Sequence, residues 1–371
     1  MDAAIALSAL LASWMLLSLS RAVAPALGLI DEPCERKVHS KPVPLAGGLA
    51  IVPVIIGLVI FFGDSGAETS SVVASMLLIF IVSILDDKFD LPATGRFGAQ
   101  IIAASILVIG SGIQVTSLGN LFGMGEIQLG PMSTAFTIIA IVAAINAFNM
   151  IDGIDGLLGS IFAIMMTALT ILFVLAGSIT SAKLVGIAAL AVLPFVYMNL
   201  TNEDSGKKIF MGDAGSMTLG LFASYMVIKG ATTEAAYPPV GALYILAIPV
   251  FDIVRVSIAR LARGISPFKA EKNHIHHILL AKGKLKALRL ICLFSGVISS
   301  VGIALNYKQT TDATQLITLA VIFISLALYL RKSGIILEGS ELKLVKQGAS
   351  CSRNTPEAPF TNTDADQRSA A

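Results

Sequence analysis

The amino-acid sequence predicts an all-α, polytopic integral membrane protein, on the evidence of its composition, its apolar runs and the distribution of its basic residues. Of the 371 residues, 55% are hydrophobic and only 13% are charged, which is typical of a membrane protein and unlike a soluble domain. Apolar runs of roughly 16 to 22 residues indicate membrane-spanning helices. About eleven such runs are present, at residues 3–24, 44–63, 71–86, 98–116, 132–148, 157–176, 182–200, 211–229, 238–256, 287–305 and 313–331.

The basic residues predict the orientation of these spans. Eleven spans place the two termini on opposite sides of the membrane. Of the 26 Lys and Arg residues, only Lys183, Lys229 and Lys308 lie on one side, and the other 23 lie opposite. By the positive-inside rule we expect the N-terminus outside and the C-terminus in the cytoplasm. The first run lacks the basic segment of a cleaved signal peptide, so we expect it to be retained.

The chain is expected to divide into two regions. Residues 1–332 form a transmembrane domain with its active site at the cytoplasmic face. Residues 333–371 are polar and lack apolar periodicity, which predicts a disordered cytoplasmic tail. The three cysteines, Cys34, Cys292 and Cys351, imply no disulfide framework.

The most unusual polar stretch lies between the fifth and sixth apolar runs. Amide or carboxylate side chains recur there at every third position, as Asn146, Asn149, Asp152 and Asp155. On one straight helix each step of three residues turns the side chain by about 60°, so all four could not converge on one ligand. Gly153 and Gly156 favour a bend that divides them. A hydrated turn between helices is the alternative explanation.

Two adjacent acids, Asp86 and Asp87, end the third apolar run. Acids at the end of an apolar helix carry a desolvation cost unless they face water, a cation or a metal ion. Their oxygen atoms suit Mg2+, which often also binds substrate phosphates. Simple solvation of the helix end is the alternative.

A third acid, Asp213, lies between Gly212 and Gly215 at the start of the eighth run. An aspartate in this position can be a helix N-cap and nothing more. The two glycines, however, would let a phosphate or a metal ion approach the backbone. Both explanations remain open at this point.

Two inner loops supply basic groups. The first contains Lys41 and ends in Gly47 and Gly48, features that suit the approach of a bulky anion, although an ordinary positively charged loop is equally consistent. The last contains Arg260 followed by three of the four histidines, His274, His276 and His277. Zinc is disfavoured there because no Cys accompanies the histidines and the surroundings are basic. A polyanionic ligand fits better.

All of these motifs fall on the predicted inner face. Acids that can hold a divalent cation, a basic loop and glycine hinges at one membrane face match phosphoryl transfer involving a membrane-embedded partner. A phosphate nucleophile needs little deprotonation, because its second pKa is about 6. We therefore expect the acids to position groups or hold a metal ion, rather than act as a strong base.

Four motifs resemble, in order, those of the polyprenyl-phosphate N-acetylhexosamine-1-phosphate transferases, over about residues 25–330. They are Asp86-Asp87-Lys-Phe-Asp90, Asn146-Ala-Phe-Asn149-Met-Ile-Asp152-Gly-Ile-Asp155-Gly, Met211-Gly-Asp213-Ala-Gly-Ser and His274-Ile-His276-His277. The resemblance implies transfer of N-acetylglucosamine-1-phosphate from UDP-GlcNAc to undecaprenyl phosphate, with release of UMP. It also implies a Mg2+ or Mn2+ cofactor, a bacterial inner-membrane location and the first membrane step of O-antigen or related polysaccharide synthesis.

The resemblance further implies roles for individual residues. The metal ligands are expected to be Asp213 and Asn149. The catalytic acids are expected to be Asp86, Asp87, Asp152 and Asp213. The substrate-binding residues are expected to be Asp155 and Phe210 at the uracil, Arg96, His274, His276 and His277 near the phosphates, and also Arg260 and Lys41. We expect Asn149 and Asp155 to point to different ligand groups, with Asn146 and Asp152 supporting them.

Other functions remain open from the sequence. One alternative is the same reaction with another UDP-N-acetylamino sugar or with UDP-MurNAc-pentapeptide as the donor. The histidine motif resembles that of the GlcNAc-type subgroup, which argues against the muramyl-pentapeptide donor. A lipid-linked sugar carrier without chemistry is another, but it predicts ionisable residues inside the spans. The expected partners are UDP-GlcNAc, undecaprenyl phosphate and the bilayer, without nucleic acid, and a homodimer is left open.

Overall fold

The computed structural model describes residues 2–33, 40–261, 264, 274–280 and 282–332. Within these residues the fold is almost entirely helical, which confirms the predicted all-α class. The predicted tail at 333–371 lies outside the described residues, as do Cys34 and Cys351. The predicted division into two regions therefore stays a prediction.

Fourteen α-helices are present in the described part of the chain. They are α1 (Asp2–Val23), α2 (Gly47–Phe62), α3 (Ala67–Phe89), α4 (Ala93–Ser111), α5 (Ser133–Ile151), α6 (Leu157–Leu175), α7 (Ile179–Ala191), α8 (Leu193–Asn199), α9 (Gly212–Ala231), α10 (Ala242–Ile245), α11 (Ala247–Leu261), α12 (Ile275–Leu280), α13 (Lys284–Tyr307) and α14 (Asp312–Lys332). Each of the eleven apolar runs contains a helix. The runs at 182–200 and 238–256 each contain two helices. In the first of these runs, Pro194 lies in the first turn of α8, where its missing N–H costs no hydrogen bond.

Eight helical segments of the described chain are long and apolar enough to cross a membrane. A ninth is counted if Pro239–Ile245 and Ala247–Leu261, which meet at 90°, form one broken span. These segments make the chain a multi-pass membrane protein. The two remaining apolar runs correspond to α2, which has only 16 residues, and to α9. The count of eleven crossings and their orientation stay predictions.

Helix α9 forms the centre of the bundle. It contacts α2, α3, α5 and α6, and 16 of its 20 residues are buried. Small residues permit this close packing. A Cβ atom on Gly220 would lie 3.0 Å from the Cα atom of Ile145 in α5, so only glycine allows the two backbones to approach this closely.

The loop between α1 and α2, which is predicted to be an inner loop, is attached to the segment that enters α9. Strand β1 (Ile30–Asp31) pairs antiparallel with β2 (Val43–Pro44). The next residue, Leu45, forms a parallel bridge with Phe210. The Phe210 amide donates to the carbonyl of Pro44 at 2.9 Å, so the two segments are held by backbone bonds.

Of the two explanations left open for Gly47 and Gly48, the structure does not favour the approach of an anion to their backbone. Their N–H groups donate to the carbonyls of Phe210 and Met211, at 2.9 and 2.8 Å. A Cβ atom on Gly48 would lie 2.3 Å from the backbone nitrogen of Gly215. The two glycines therefore allow α2 to pack against the start of α9. Their backbone N–H groups are already bonded to carbonyls and are not available to an anion.

We expect Gly48→Ala to destabilise the protein by about 1–3 kcal/mol, because the new methyl group overlaps backbone that cannot move aside. The matched control is Gly57→Ala in the same helix, where nothing lies within 4 Å of the added Cβ atom. That control should be neutral or slightly stabilising, since alanine favours helix over glycine by about 1 kcal/mol. The measurement is thermal unfolding in detergent. Equal melting temperatures for the two variants would contradict the packing described.

Candidate active site

Asp87 connects the end of α3 to the beginning of α9. Its carboxylate oxygens accept hydrogen bonds from the backbone N–H groups of Asp213 and Ala214, at 2.9 and 3.0 Å. Gly212 is required here, because its φ is +73° and a Cβ atom would lie 2.7 Å from the Asp87 carboxylate. The helix is therefore capped by an acid from another helix, and Asp213 is not its N-cap. The space beside Gly212 holds Asp87 and not an external phosphate.

Asp86 holds Arg96 beside this junction. The buried Asp86 carboxylate accepts from the Leu91 backbone N–H at 2.9 Å and from the Arg96 guanidinium at 2.9 Å. The same guanidinium nitrogen lies 3.5 Å from Oδ2 of Asp213, whose side chain is 31% exposed. We call Asp86, Asp87, Arg96 and Asp213 the acidic cluster. Three acids with one arginine give it a formal charge of −2, which would attract a cation.

The stretch containing the four amide and carboxylate side chains bends as predicted. Helix α5 ends at Ile151, Gly156 has a φ of +76°, and α6 begins at Leu157. Asn199 fixes this turn from the end of α8. Its buried side chain accepts from the Gly156 N–H and donates to the Ile209 carbonyl, the latter at 2.7 Å. One amide thus links the turn to the segment before Phe210.

The bend separates Asn149 from Asp155. In α5, Oδ1 of Asn149 accepts from the Ser216 hydroxyl of α9 at 3.1 Å, which places it near the start of that helix. Asn146 instead donates to the Gln100 side chain of α4 at 2.6 Å. Asp155 lies beyond the turn and has other partners. The expected division into different groups is therefore seen, while the ligand of each group stays a prediction.

Asp152 caps the end of α5 between these groups. Burial raises its pKa from 3.8 to about 7, and the negative charges of Asp155 and Asp87 raise it further in the same direction. At neutral pH a substantial fraction of this carboxyl is therefore protonated. It can then donate a hydrogen bond, which an ordinary aspartate cannot do.

Asp155 lies in a cavity of about 450 Å3 at the same end of the bundle. Its Oδ2 atom forms ion pairs with both Lys208 and Lys284. The Lys208 ammonium also lies 5.7 Å from the centre of the Phe210 ring. Asp155 and Phe210, which are far apart in the sequence, are thus brought together through Lys208. We call Asp155, Lys208 and Lys284 the cationic cluster.

Lys41 and Arg260 occupy different places. Lys41 forms an exposed ion pair with Asp204 at 2.6 Å, and Asp204 lines the Asp155 cavity. Lys41 is thus at the edge of this cavity. Arg260 is buried in the last turn of α11. Whether either residue contacts a substrate stays a prediction.

The histidine motif packs against the turn after α5. His274 Nδ1 lies 2.8 Å from Oδ2 of Asp252, whose other oxygen accepts from the Ile275 N–H at 2.7 Å. His276 lies against Gly153, where a Cβ atom would be 2.3 Å from its Nε2 atom. This contact connects two motifs that are more than a hundred residues apart.

His276 does not have the positive charge expected of this loop. Burial lowers its pKa to about 3, and the neighbouring His277 lowers it further in the same direction. It is 2% exposed, and its Nδ1 atom has no hydrogen-bond partner among the described residues. Desolvation thus disfavours the imidazolium ion of His276, and the predicted place of this residue near the substrate phosphates stays a prediction.

The predicted metal site consists of Asp213, in the acidic cluster, and Asn149. Their side chains offer carboxylate and amide oxygens, the ligands that Mg2+ prefers. The Asn149 oxygen accepts one hydrogen bond and has a second lone pair. No group of three or more His, Cys, Asp or Glu side chains in the described residues has the arrangement of a complete metal site. The metal ion and its ligands therefore stay predictions.

The sequence did not single out Lys208, Lys284 or Asn199. The two lysines belong to the basic face that is predicted to lie inside, and in the sequence they look like ordinary positive-inside residues. Lys208 lies two residues before Phe210, which could have suggested that it is near the predicted uracil site. That position alone does not reveal its ion pair with Asp155. Asn199 ends an apolar helix, where a polar residue is unremarkable. Only the fold brings these residues to Asp155 and Gly156.

A multi-pass helical protein with acidic and cationic clusters at one end of its helices has the architecture of a membrane-embedded phosphotransferase. The model of glycosyl transferase family 4 matches residues 69–231. Three relatives share the description undecaprenyl-phosphate alpha-N-acetylglucosaminyl 1-phosphate transferase. The protein of Salmonella typhi is 33% identical over 300 residues, covering 78% of this chain and 80% of the relative.

Two further relatives have the same description. That of Yersinia pestis is 33% identical over 321 residues, covering 85% of this chain and 87% of the relative. That of Haemophilus influenzae is 34% identical over 298 residues, covering 79% and 84%. The chain therefore belongs to glycosyl transferase family 4, in the group of the polyprenyl-phosphate sugar-1-phosphate transferases. The predicted family and enzyme class are confirmed.

We expect the Asp152→Asn variant to change the pH dependence of stability. A carboxyl whose pKa is higher in the folded than in the unfolded protein binds more protons when folded, so stability falls as pH rises between about 3.8 and about 7. Asparagine does not titrate, so the variant does not lose stability in this way as pH rises. The melting temperature of the variant relative to wild type should therefore increase from pH 5 to pH 8.

The control for loss of one negative charge is Asp64→Asn, at an exposed residue between α2 and α3. Thermal unfolding of all three proteins is measured in detergent across this pH range. Curves for Asp152→Asn and wild type that stay parallel from pH 5 to pH 8 would contradict the raised pKa.

Proposed function

We propose that the chain transfers N-acetylglucosamine-1-phosphate from UDP-GlcNAc to undecaprenyl phosphate, forming undecaprenyl-diphosphate-GlcNAc and UMP. The observation that carries this proposal is the pairing of an acidic and a cationic cluster, joined by the short segment from Lys208 to Asp213. The names of the relatives supply the acceptor lipid and the sugar. The nucleotide donor is part of the proposal, and it is supported by a cavity lined by Asp155 and by Lys208, whose ammonium group lies 5.7 Å from the centre of the Phe210 ring.

In the proposed reaction, an oxygen of the lipid phosphate attacks the sugar-bearing phosphorus of the donor. A new phosphorus–oxygen bond forms, the bond to the uridine-bearing phosphate breaks, and UMP leaves with the electron pair. The lipid phosphate is largely ionised at neutral pH, since its second pKa is about 6. The reaction therefore requires positioning and charge stabilisation more than a strong base.

The hydrogen bonds of the acidic cluster suit such a positioning role. Asp87 is engaged by two backbone N–H groups of α9, and Asp86 by Arg96 and a backbone N–H. Both carboxylates thus act as fixed acceptors. Arg96 is 31% exposed while Asp86 holds it, so its remaining donors can stabilise negative charge on a phosphate.

A divalent cation, Mg2+ or Mn2+, would be held by Asp213 and Asn149. When bound, it would neutralise charge on the donor phosphates and polarise their oxygens. Asp213 is suited to this task because its backbone is fixed by Asp87 while its side chain remains partly exposed. Ser216 would keep the Asn149 oxygen oriented.

The Asp155 cavity is the proposed place of the uridine. Phe210 offers a ring for stacking on the uracil, and Asp155 offers an acceptor for its N–H group. We further propose that the site faces the cytoplasm of a bacterial inner membrane, where nucleotide sugars are made. The positive-inside distribution supports this orientation. A homodimer is compatible with the proposal and is not needed by it.

The test is a reaction of the purified protein with undecaprenyl phosphate, Mg2+ and one UDP-sugar at a time. We expect UMP and a lipid diphosphate sugar to form with UDP-GlcNAc and to be much reduced with UDP-MurNAc-pentapeptide. Addition of EDTA should abolish the reaction, and excess Mg2+ should restore it. A protein that moves a lipid-linked sugar across vesicles without releasing UMP would refute the transferase proposal.

We expect Asp213→Asn to reduce kcat by at least about 100-fold, because the amide no longer attracts a cation that stabilises the transition state. The side-chain volume and the backbone bonds to Asp87 are retained, so the melting temperature should change little. Asp64→Asn, which removes an acid far from the cluster, should keep full turnover. Near-normal kcat for Asp213→Asn would rule out the metal assignment.

A further inference from the structure

Two lysines bind a single oxygen atom of Asp155. Lys208 and Lys284 both donate to Oδ2. The Oδ1 atom receives no hydrogen bond from any residue in the described part of the chain. One carboxylate oxygen is therefore doubly occupied by cations, while the other can accept a hydrogen bond from a ligand.

The two lysines differ in how firmly they are held. Lys208 is 8% exposed and lies over the Phe210 ring, on the segment that backbone bonds attach to β2. Lys284 is 45% exposed and is the first residue of α13. An exposed lysine has a solvated, mobile side chain and a weak ion pair, whereas a buried one is costly to separate from its partner. Lys284 is therefore the one that can leave Asp155.

The charges lining the cavity define where an anion can bind. Glu203 and Asp204 line one side, where Ser40 and Lys41 bond to them. Lys208 and Lys284 are the cations lining the cavity among the described residues. The cationic cluster has a formal charge of +1, which a donor with two phosphates would more than neutralise. Lys284 gains a stronger partner by moving from the shared carboxylate to a phosphate.

We infer that Lys208 is a positioning residue that fixes Asp155 as the acceptor for the nucleotide base, and that Lys284 is an exchangeable cation that leaves Asp155 for the donor phosphates. The inference rests on the proposed function, because it assumes a uridine nucleotide in this cavity. It assigns different tasks to two lysines that contact the same atom.

The two roles predict different losses of affinity for uridine and for UDP. Lys208→Met should weaken both ligands about tenfold, because the base acceptor is no longer held in place. Lys284→Met should weaken UDP about tenfold and leave uridine unchanged or slightly tighter, because only the phosphate contact is lost. Dissociation constants are measured on the detergent-purified protein by competition against labelled UDP.

Matched controls are available beside each lysine. Lys207→Met and Lys286→Met remove exposed lysines on the same segment and on the same helix. Both should bind uridine and UDP like wild type. They correct for the loss of one positive charge from this face of the protein.

A double-mutant cycle tests whether Lys208 acts through Asp155. In an Asp155→Asn background, Lys208→Met should cause no further loss of uridine affinity, because the residue it positions is already altered. In Lys208→Met the Asp155 carboxylate keeps only Lys284 as a cationic partner, which could destabilise that variant, whereas the double variant lacks this carboxylate charge. In turnover assays Lys208→Met should raise KM for the donor more than it lowers kcat, which a general loss of folded protein would not produce.

Three results would overturn the inference. The first is that Lys208→Met binds uridine as tightly as Lys207→Met does. The second is that Lys208→Met loses the same uridine affinity in the wild-type and Asp155→Asn backgrounds, and the third is that Lys284→Met weakens uridine and UDP equally. Failure of the proposed function would look different. In that case the wild-type protein itself would bind neither UDP nor UMP and would release no UMP.

Discussion

The structure depends on the carboxylate of Asp87 at the N-terminus of α9. Two backbone N–H groups that α9 cannot satisfy within itself donate to this charged acceptor from α3. The interaction also places negative charge at the positive end of the helix dipole. Because α9 is the central helix, the same bonds fix the position of Asp213 relative to Asp86 and Arg96. A helix cap therefore becomes the framework of the active site.

Two clusters of opposite formal charge lie at the two ends of one short segment. The acidic cluster includes Asp213, and the cationic cluster includes Lys208, only five residues earlier. Asn199 holds this segment to the turn at Gly156, so movement of one cluster is restrained by the other. Opposite charges suit the parts of a nucleotide-sugar reaction, since a cation and a phosphate need different surroundings. The separation of the clusters is thus consistent with phosphoryl transfer.

Glycines near the site illustrate how one residue type can have several explanations. From the sequence, Gly48 and Gly212 could each expose backbone to an anion. In the structure, Gly48 is needed for contact with Gly215, and Gly212 leaves room for Asp87. Gly153 likewise leaves room for His276. The sequence shows that no side chain is present, but it does not show what fills the space.

The sequence by itself determined the helical membrane class, the turn between Asn149 and Asp155, and the residue types that imply phosphoryl transfer. Those properties follow from hydropathy, spacing and local backbone preference, which are readable over a few turns of chain. Only the tertiary structure decided that Asp87 caps α9, that His276 is buried and neutral, and that Lys208 and Lys284 meet at one oxygen. The physical reason is that hydrogen bonds, ion pairs and desolvation depend on distances between helices, which local patterns do not specify.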